Sequence, residues 1–341
     1  MKILKRMADN NLTSLIKHLL TAVALTAFAW FWFDGTLTVG LDMSRVSQMQ
    51  SVSPFSDFGA NQHRILTPLI AHAIGLRGDL FPLITIPLCI IFISLTLWYF
   101  RNIWMSLLLI CSSAVYMSIH WAGLVDLTTF SLLMACLILI KSRWWYVLYA
   151  LSLLNHPLGF FVGVPLTFLH IRESGNGIIP SLALLCASVL PLEAWRLYTE
   201  SIGVSAWNDW RIYTGWEWVK WTVRHGLPWF LLGTFSAFKL AWYYPFQCVA
   251  EGRDRWMILL FILCALSTLI VDCDITRMAG LSFLGVAISM KEYASAHQEH
   301  SFKKIAIYNL FIPTVVVAIG PAVIHPKLYV WIAQLLGVSI R

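Results

Sequence analysis

The chain has 341 residues, of which 59% are hydrophobic and 12% charged, and 24 Lys and Arg against 17 Asp and Glu give a net charge of +7. A soluble domain carries about 25% charged residues, so the composition excludes an ordinary water-soluble globule. The small basic excess fits membrane topology and anionic headgroups rather than nucleic acid.

The first apolar run, Leu19 to Phe33, follows Lys2, Lys5, Arg6 and Lys17. It ends in the bulky FAWFWF without a small-residue cleavage site, so it reads as a retained helix rather than a removed leader. Its basic flank puts the N-terminus in the cytoplasm. Further apolar runs at 80–99, 103–120, 124–140, 144–155, 158–170, 178–197, 227–247, 256–271, 278–290 and 305–324 join 16–33 in predicting about eleven spans of the bilayer. Alternation then places Arg101, Lys141, Arg143, Arg172, Arg253, Arg255, Lys291, Lys303 and Lys304 on one side, as the positive-inside rule requires. The spans 144–155 and 158–170 are short, so they must tilt, break or line a cavity. With no linker, internal repeat or low-complexity tail, residues 1–341 read as one all-α, multi-pass domain of the cytoplasmic (inner) membrane.

The opposite, external face receives the loop 34–79, the turns 120–126, 155–157 and 272–277, and the loop 198–226. Asp34, Asp42, Asp57, Asp126, Asp209, Asp272 and Asp274 all fall there. In LDMSRVSQM, Asp42 and Arg45 share a helical face. In HRILTPLIAHAIGL, Ile65, Leu66, Leu69, Ile70, Ala73 and Ile74 recur at helical spacing. That segment is too short to span and predicts an interfacial helix with His63 and Arg64 at its start. A carboxylate at the membrane edge can take a proton from an acceptor hydroxyl, and Arg can hold a phosphate in a bidentate fork. A solvated loop with a surface ion pair is the plainer reading of the same spacing.

Three further external turns carry polar groups: His120 and Asp126 in IHWAGLVDLTTF, Asn155 and His156 before Pro157 in LLNHPLGFF, and Asp272, Asp274 and Arg277 in VDCDITRMAG. Singly they read as caps or ion pairs, Asp126 as an N-cap and Asp274–Arg277 as an intrahelical pair. Together, at the mouths of short spans, they read as the lining of an aqueous cavity. In 198–226, Trp207, Trp210, Trp216, Trp218 and Trp221 interleave with Arg211, Lys220 and Arg224. That pattern suits a carbohydrate cleft or an amphipathic helix at the interface. The seven Cys include no CxxC and no pair placed for a disulfide, and no metal site is assigned, although Asp272 with Asp274 could hold a divalent ion.

These landmarks together resemble the GT-C superfamily of multi-span glycosyltransferases, which use polyprenyl-phosphate-linked sugars outside the cytoplasmic membrane. The resemblance rests on the first-loop aspartate, the basic-plus-Pro segment HRILTPLIA, the GLVD turn, the polar mid-chain turn and the late DITR, and runs from 34 to 277. It implies Asp42 as catalytic base, with Asp34 as its rival and Arg45 on the same helical face as Asp42. It implies Arg64 and His63 on the lipid phosphate, Arg277 as a second phosphate contact positioned by Asp274, and Asp126 and His156 lining the sugar or acceptor pocket. The reaction it implies is a direct, inverting transfer from a polyprenyl-phosphate sugar to a glycan or lipid-linked acceptor, needing a base and charge stabilisation of the leaving phosphate. The chain departs from the family in Val46 and Ser47, where aromatic residues are common, and in Asn155-His156, where RE is common. A polysaccharide polymerase or ligase is the first alternative. A transporter or flippase of a lipid-linked or anionic substrate is the second; it predicts paired mid-membrane charges and inverted repeats, and Lys239 alone reads as a mid-span charge.

Overall fold

The computed structural model describes all residues except 1, 38, 40–41, 57–63, 204–225, 271–273, 298–299, 318–320 and 339–341, and of 2–15, 42–43, 114, 270, 300 and 321 it describes the backbone alone. The fold is mostly helical, as the apolar runs predict. The N-terminal half comprises α1 (Lys2–Trp32), α2 (Asp42–Val52), α3 (Leu66–Ala73), α4 (Thr85–Phe100), α5 (Ile103–Ile110), α6 (Ser113–His120), α7 (Asp126–Ile138) and α8 (Trp144–Asn155). Then follow α9 (Phe160–Ser174), α10 (Ile178–Ser201), α11 (Leu227–Phe238), α12 (Tyr243–Ala250), α13 (Arg255–Ser267), α14 (Ile275–Gly280), α15 (Phe283–Ala296) and α16 (His300–Phe311). An antiparallel hairpin of β1 (Thr314–Val317) and β2 (Pro321–Ile324) precedes α17 (Lys327–Leu335).

Four of the predicted spans are broken. The run 103–120 divides at Cys111-Ser112 into α5, capped by Asn102 through its bonds from the Trp104 and Met105 amides, and α6. The run 227–247 divides at Lys239, whose φ of 54° ends α11, and 278–290 overlaps α14 and α15 on either side of Leu281-Ser282. The run 305–324 is a helix only to Phe311: Pro313 cannot continue it, and the β-branched TVVV that follows pairs with PAVI in register Thr314–Ile324 to Val317–Pro321. Among the described residues two helices are long and apolar enough to cross a membrane: Gly78–Phe100, which runs from a 3-10 turn into α4, and α10. α1 is longer than either, with its apolar part confined to Ile16–Trp32 among the described residues, and the 12 residues of α8 rise only about 18 Å. Among the described residues, then, two helices have spanning length where the apolar runs predict about eleven spans.

α4, α7, α9 and α15 run toward the same end of the bundle, and α8 runs back from it. α7 lies between α4 and α8, α10 covers α8 and α9, and α13 lies against α9 and α15. Phe92, Phe130 and Phe283 bring α4, α7 and α15 together, with ring centroids 5.0–6.4 Å apart. Two features run against a water-soluble pattern. α10 is apolar, yet only 11% of its most apolar window is buried. α3 presents Thr67, Pro68 and Ala71 to the protein, while Ile70, Ala73 and Ile74 of its predicted apolar face point outward.

Candidate functional site

The starts of α7 and α14 and the end of α8 converge at one end of the bundle. The turn into α7 requires Gly123, at φ 90°, where a Cβ would come within 3.4 Å of Phe81 and Ser44. The Gly123 amide donates to Thr85 Oγ1 over 3.1 Å. Val39 forms a parallel bridge with Ala122, so the segment leading into α2 lies along this turn.

Asp126, the first residue of α7, makes no capping bond to the helix backbone. Its carboxylate instead receives the guanidinium fork of Arg277, Nε to Oδ2 at 3.1 Å and Nη2 to Oδ1 at 2.9 Å. The two residues are 151 positions apart, and their side chains are 8% and 4% exposed. Arg277 is held from the other side by Asp274, whose Oδ2 lies 3.5 Å from Nη1 and whose Oδ1 accepts the Arg277 amide at 3.1 Å as the N-cap of α14. His156 Nε2 sits 3.7 Å from Asp126 Oδ1. Its extended backbone, φ −150°, is the conformation that Pro157 imposes on the residue before it.

Asn155 clamps the cluster. Its Nδ2 donates to Val125 O and Thr129 Oγ1, both at 2.7 Å, and its Oδ1 accepts the Thr67 amide at 3.1 Å. The Thr67 hydroxyl lies 2.5 Å from Asn155 Oδ1 and 2.6 Å from Thr128 Oγ1. With one proton it donates to the amide oxygen and accepts from Thr128. All four hydrogen-bonding positions of the Asn155 amide are thus filled, tying α3, α7 and α8 together. α14 is fixed by the hairpin: Thr276 Oγ1 donates to Val315 O over 3.2 Å and accepts the Val317 amide at 2.8 Å. Gly233 of α11 permits this approach, because a Cβ there would meet Ile275 at 2.9 Å and Val317 at 3.1 Å.

The structure therefore brings Asp126, His156, Asp274 and Arg277 into one buried cluster. Arg64, 2% exposed, precedes α3, whose Thr67 is part of the Asn155 network. Asp34 is placed elsewhere: its half-exposed carboxylate pairs with Lys327 Nζ at 3.0 Å and ties the end of α1 to α17. Arg45 is exposed on α2. Asp42 begins α2, but its side chain, like His63, Asp57, Asp209, Asp272, Cys273 and the five tryptophans of 198–226, lies outside the described residues. The start of 198–226 is the last turn of α10, where Tyr198 stacks on Trp195 and both rings meet Phe55 edge-on. Among the described residues no group of three His, Cys, Asp or Glu is placed to hold a metal ion.

The threonines of the Asn155 network escape a search for charged residues; their signal is their spacing at the starts of α3 and α7. Chemically, Asp126 with both oxygens on Arg277 is a positioning group rather than a free base. The cluster fixes a guanidinium between two carboxylates, with an imidazole beside them, in a buried polar site. The chain matches no protein-family model, no curated protein and no solved structure.

Proposed function

We propose that this chain is a multi-span membrane protein of the inner membrane that binds a polyprenyl-phosphate-linked sugar at the Asp126–Arg277 end of the bundle and transfers the sugar to a glycan or lipid-linked acceptor on the external face. The observation that carries the site is the buried Asp126–Arg277–Asp274 cluster with His156 against it. Its groups come from separate helix ends and are held by backbone features, the Asp274 cap and the Pro157 break, that pre-position them.

The membrane reading is supported by the exposed apolar surface. An exposed apolar helix such as α10 would be an aggregation surface in water, and an outward apolar face on α3 suits a helix at the lipid boundary. Broken helices at membrane depth are tolerated where they are buried in protein, which suits the divisions at 111–112, 239 and 281–282.

In this reading Asp42, at the start of α2 beside the Ala122–Gly123 turn, takes the proton of the acceptor hydroxyl. Arg64, with His63 before it, contacts the lipid phosphate, and Arg277, held by Asp126 and Asp274, supplies a second positive group. His156 borders the sugar pocket. Asp34 is the less available base, because Lys327 Nζ occupies its carboxylate at 3.0 Å. The test is glycan analysis of cells making wild-type, Asp42→Asn, Arg64→Gln or Asp34→Asn protein at matched membrane abundance. Loss of one glycan modification in Asp42→Asn and Arg64→Gln, with retention in wild type and Asp34→Asn, is the expected outcome. Retention in Asp42→Asn removes that residue as base.

The buried ion cluster also favours a second reading, transport of an anionic or lipid-linked substrate, since paired charges within a bundle mark substrate paths. If no glycan depends on the protein while uptake or flipping of such a substrate does, transport replaces transfer.

A further inference from the structure

A cavity of about 760 Å³ opens at the other end of the bundle, where the last turns of α4, α7 and α9 meet α15. Ligand pockets span roughly 300–1,000 Å³. Its floor is apolar, with Leu137, Ile140, Leu169 and Ile288, and Trp98 and Phe100 stand at its rim. Four cations line it, Arg101, Lys141, Arg172 and Lys291, against Glu173 and Glu292.

The cations are not equivalent. Lys141 lies 3.7 Å from Glu173, and Arg172 is held by Glu173 at 3.2 Å and by Asp254 at 2.6 Å, so these charges are balanced within the protein. The Arg101 side chain makes no hydrogen bond or ion pair among the described residues, and Lys291 Nζ rests 4.3 Å from the Tyr99 ring centroid without a carboxylate at ion-pair distance. Basic residues at helix C-termini commonly offset the helix dipole, and that accounts for a cation at each helix end. It does not account for two acid-free cations bordering one cavity, with Glu292 as the carboxylate left to oppose them. Arg101 is fixed there by its left-handed backbone, φ 53°, which ends α4.

We infer that this cavity binds a phosphate group through Arg101 and Lys291, with any apolar portion of the ligand on the Leu137–Ile288 floor. Basic pockets between helices at the cytoplasmic boundary recognise anionic headgroups in this manner. The phosphate can come from an anionic phospholipid or from a soluble phosphate compound. The inference does not depend on sugar transfer, and its soluble arm does not depend on the membrane reading.

The test uses the full chain in neutral detergent. Thermal unfolding is followed during titration with short-chain phosphatidylglycerol, with short-chain phosphatidylcholine, and with glycerol phosphate. Arg101→Asn keeps a residue tolerant of the left-handed backbone, Lys291→Gln removes the second cation, Lys291→Arg preserves it, and Lys304→Gln removes an exposed cation outside the cavity. Losing one charge-assisted contact weakens binding by roughly tenfold or more. Stabilisation of wild type by phosphatidylglycerol over phosphatidylcholine, weakened that much in Arg101→Asn and Lys291→Gln but kept in Lys291→Arg and Lys304→Gln, supports a lipid ligand. The same pattern with glycerol phosphate supports a soluble one. Equal loss in Lys304→Gln, unchanged binding in either charge-removing cavity variant, or no stabilisation of wild type by either phosphate ligand overturns the inference.

Discussion

The ion pair at the head of α7 gives the sharpest test of the buried cluster. Asp126→Leu strips the two-pronged fork from Arg277, a nearly inaccessible guanidinium, and leaves Asp274 beside it at 3.5 Å. Breaking a buried pair from one side costs about 3–5 kcal/mol; with Asp274 retained, the expected loss is near the lower figure. Arg277→Met is worse, because it leaves Asp126 and Asp274 buried without their shared cation, and the upper figure applies. Replacing both, as Asp126→Leu with Arg277→Met, exchanges the Asp126–Arg277 pair for apolar contact and leaves Asp274 without Arg277, so the double variant loses about as much as one single variant rather than the sum of the two. The double variant should therefore lie at least about 2 kcal/mol above the sum of the single losses. Reversible unfolding in mild detergent, with all four proteins titrated in parallel, measures this coupling directly. If the losses add to within about 0.5 kcal/mol, Asp126 and Arg277 do not act as a unit and the description of the site fails. A double variant that folds yet loses the dependent glycan separates the chemistry of the pair from its contribution to stability.

Asn155→Leu leaves the Thr67 amide and Val125 carbonyl without their side-chain partner, so thermal unfolding should show a loss of about 2–4 kcal/mol. Gly233→Ala forces α11 away from Ile275 and Val317 and should cost about 1–3 kcal/mol, with faster amide exchange in the 314–317 strand as its signature. Lys327→Ala should change stability by less than about 1 kcal/mol, since its pair with Asp34 is solvent-accessible; a larger loss would place that pair in a drier setting. Cys186, exposed on α10, should resist a charged thiol reagent in intact membranes and react once detergent removes the lipid. Ready labelling before detergent would refute a lipid-facing α10.

What the sequence revealed follows from what periodicity measures. Apolar runs located α1, α7, α8, α9, α10 and α13 because a helix interior needs only continuous apolar length. They were silent at Cys111-Ser112, Lys239 and Leu281-Ser282, where the breaks are set by tertiary partners: Lys239 ends α11 in a conformation stabilised by bonds from its ammonium to Ile312 O at 2.7 Å and Asn309 O at 3.4 Å. The hairpin was missed because VVV is as apolar as a span, and only Pro313 with the β-branched run marks it. In α3 the helical spacing matched, and the predicted apolar face divides, Ile65 turning into the protein while Ile70, Ala73 and Ile74 turn outward, because periodicity finds an apolar face without saying what meets it. Asp126, His156, Asp274 and Arg277 were legible as ionisable groups at helix ends. Their convergence was not, since no local pattern links α7 with α14.

The breaks also bear on what the buried cluster is for. In lipid there is little hydrophobic drive between helices, and polar side chains hold them together by satisfying backbone groups that a break exposes. Asn155 and Lys239 fit that role: Asn155 bonds Val125 O and the Thr67 amide, and Lys239 bonds two carbonyls near the end of α16. Asp126 does not. Its oxygens meet Arg277 and His156, neither accepts a backbone amide, and Val125 at the N-cap of α7 makes no side-chain cap bond either. Asp274 already caps α14, so that helix start does not need Asp126 either. Buried charges unneeded by the backbone carry a desolvation cost that structural economy would avoid. A site whose polar groups must be held in one geometry for a ligand is a reason to retain them.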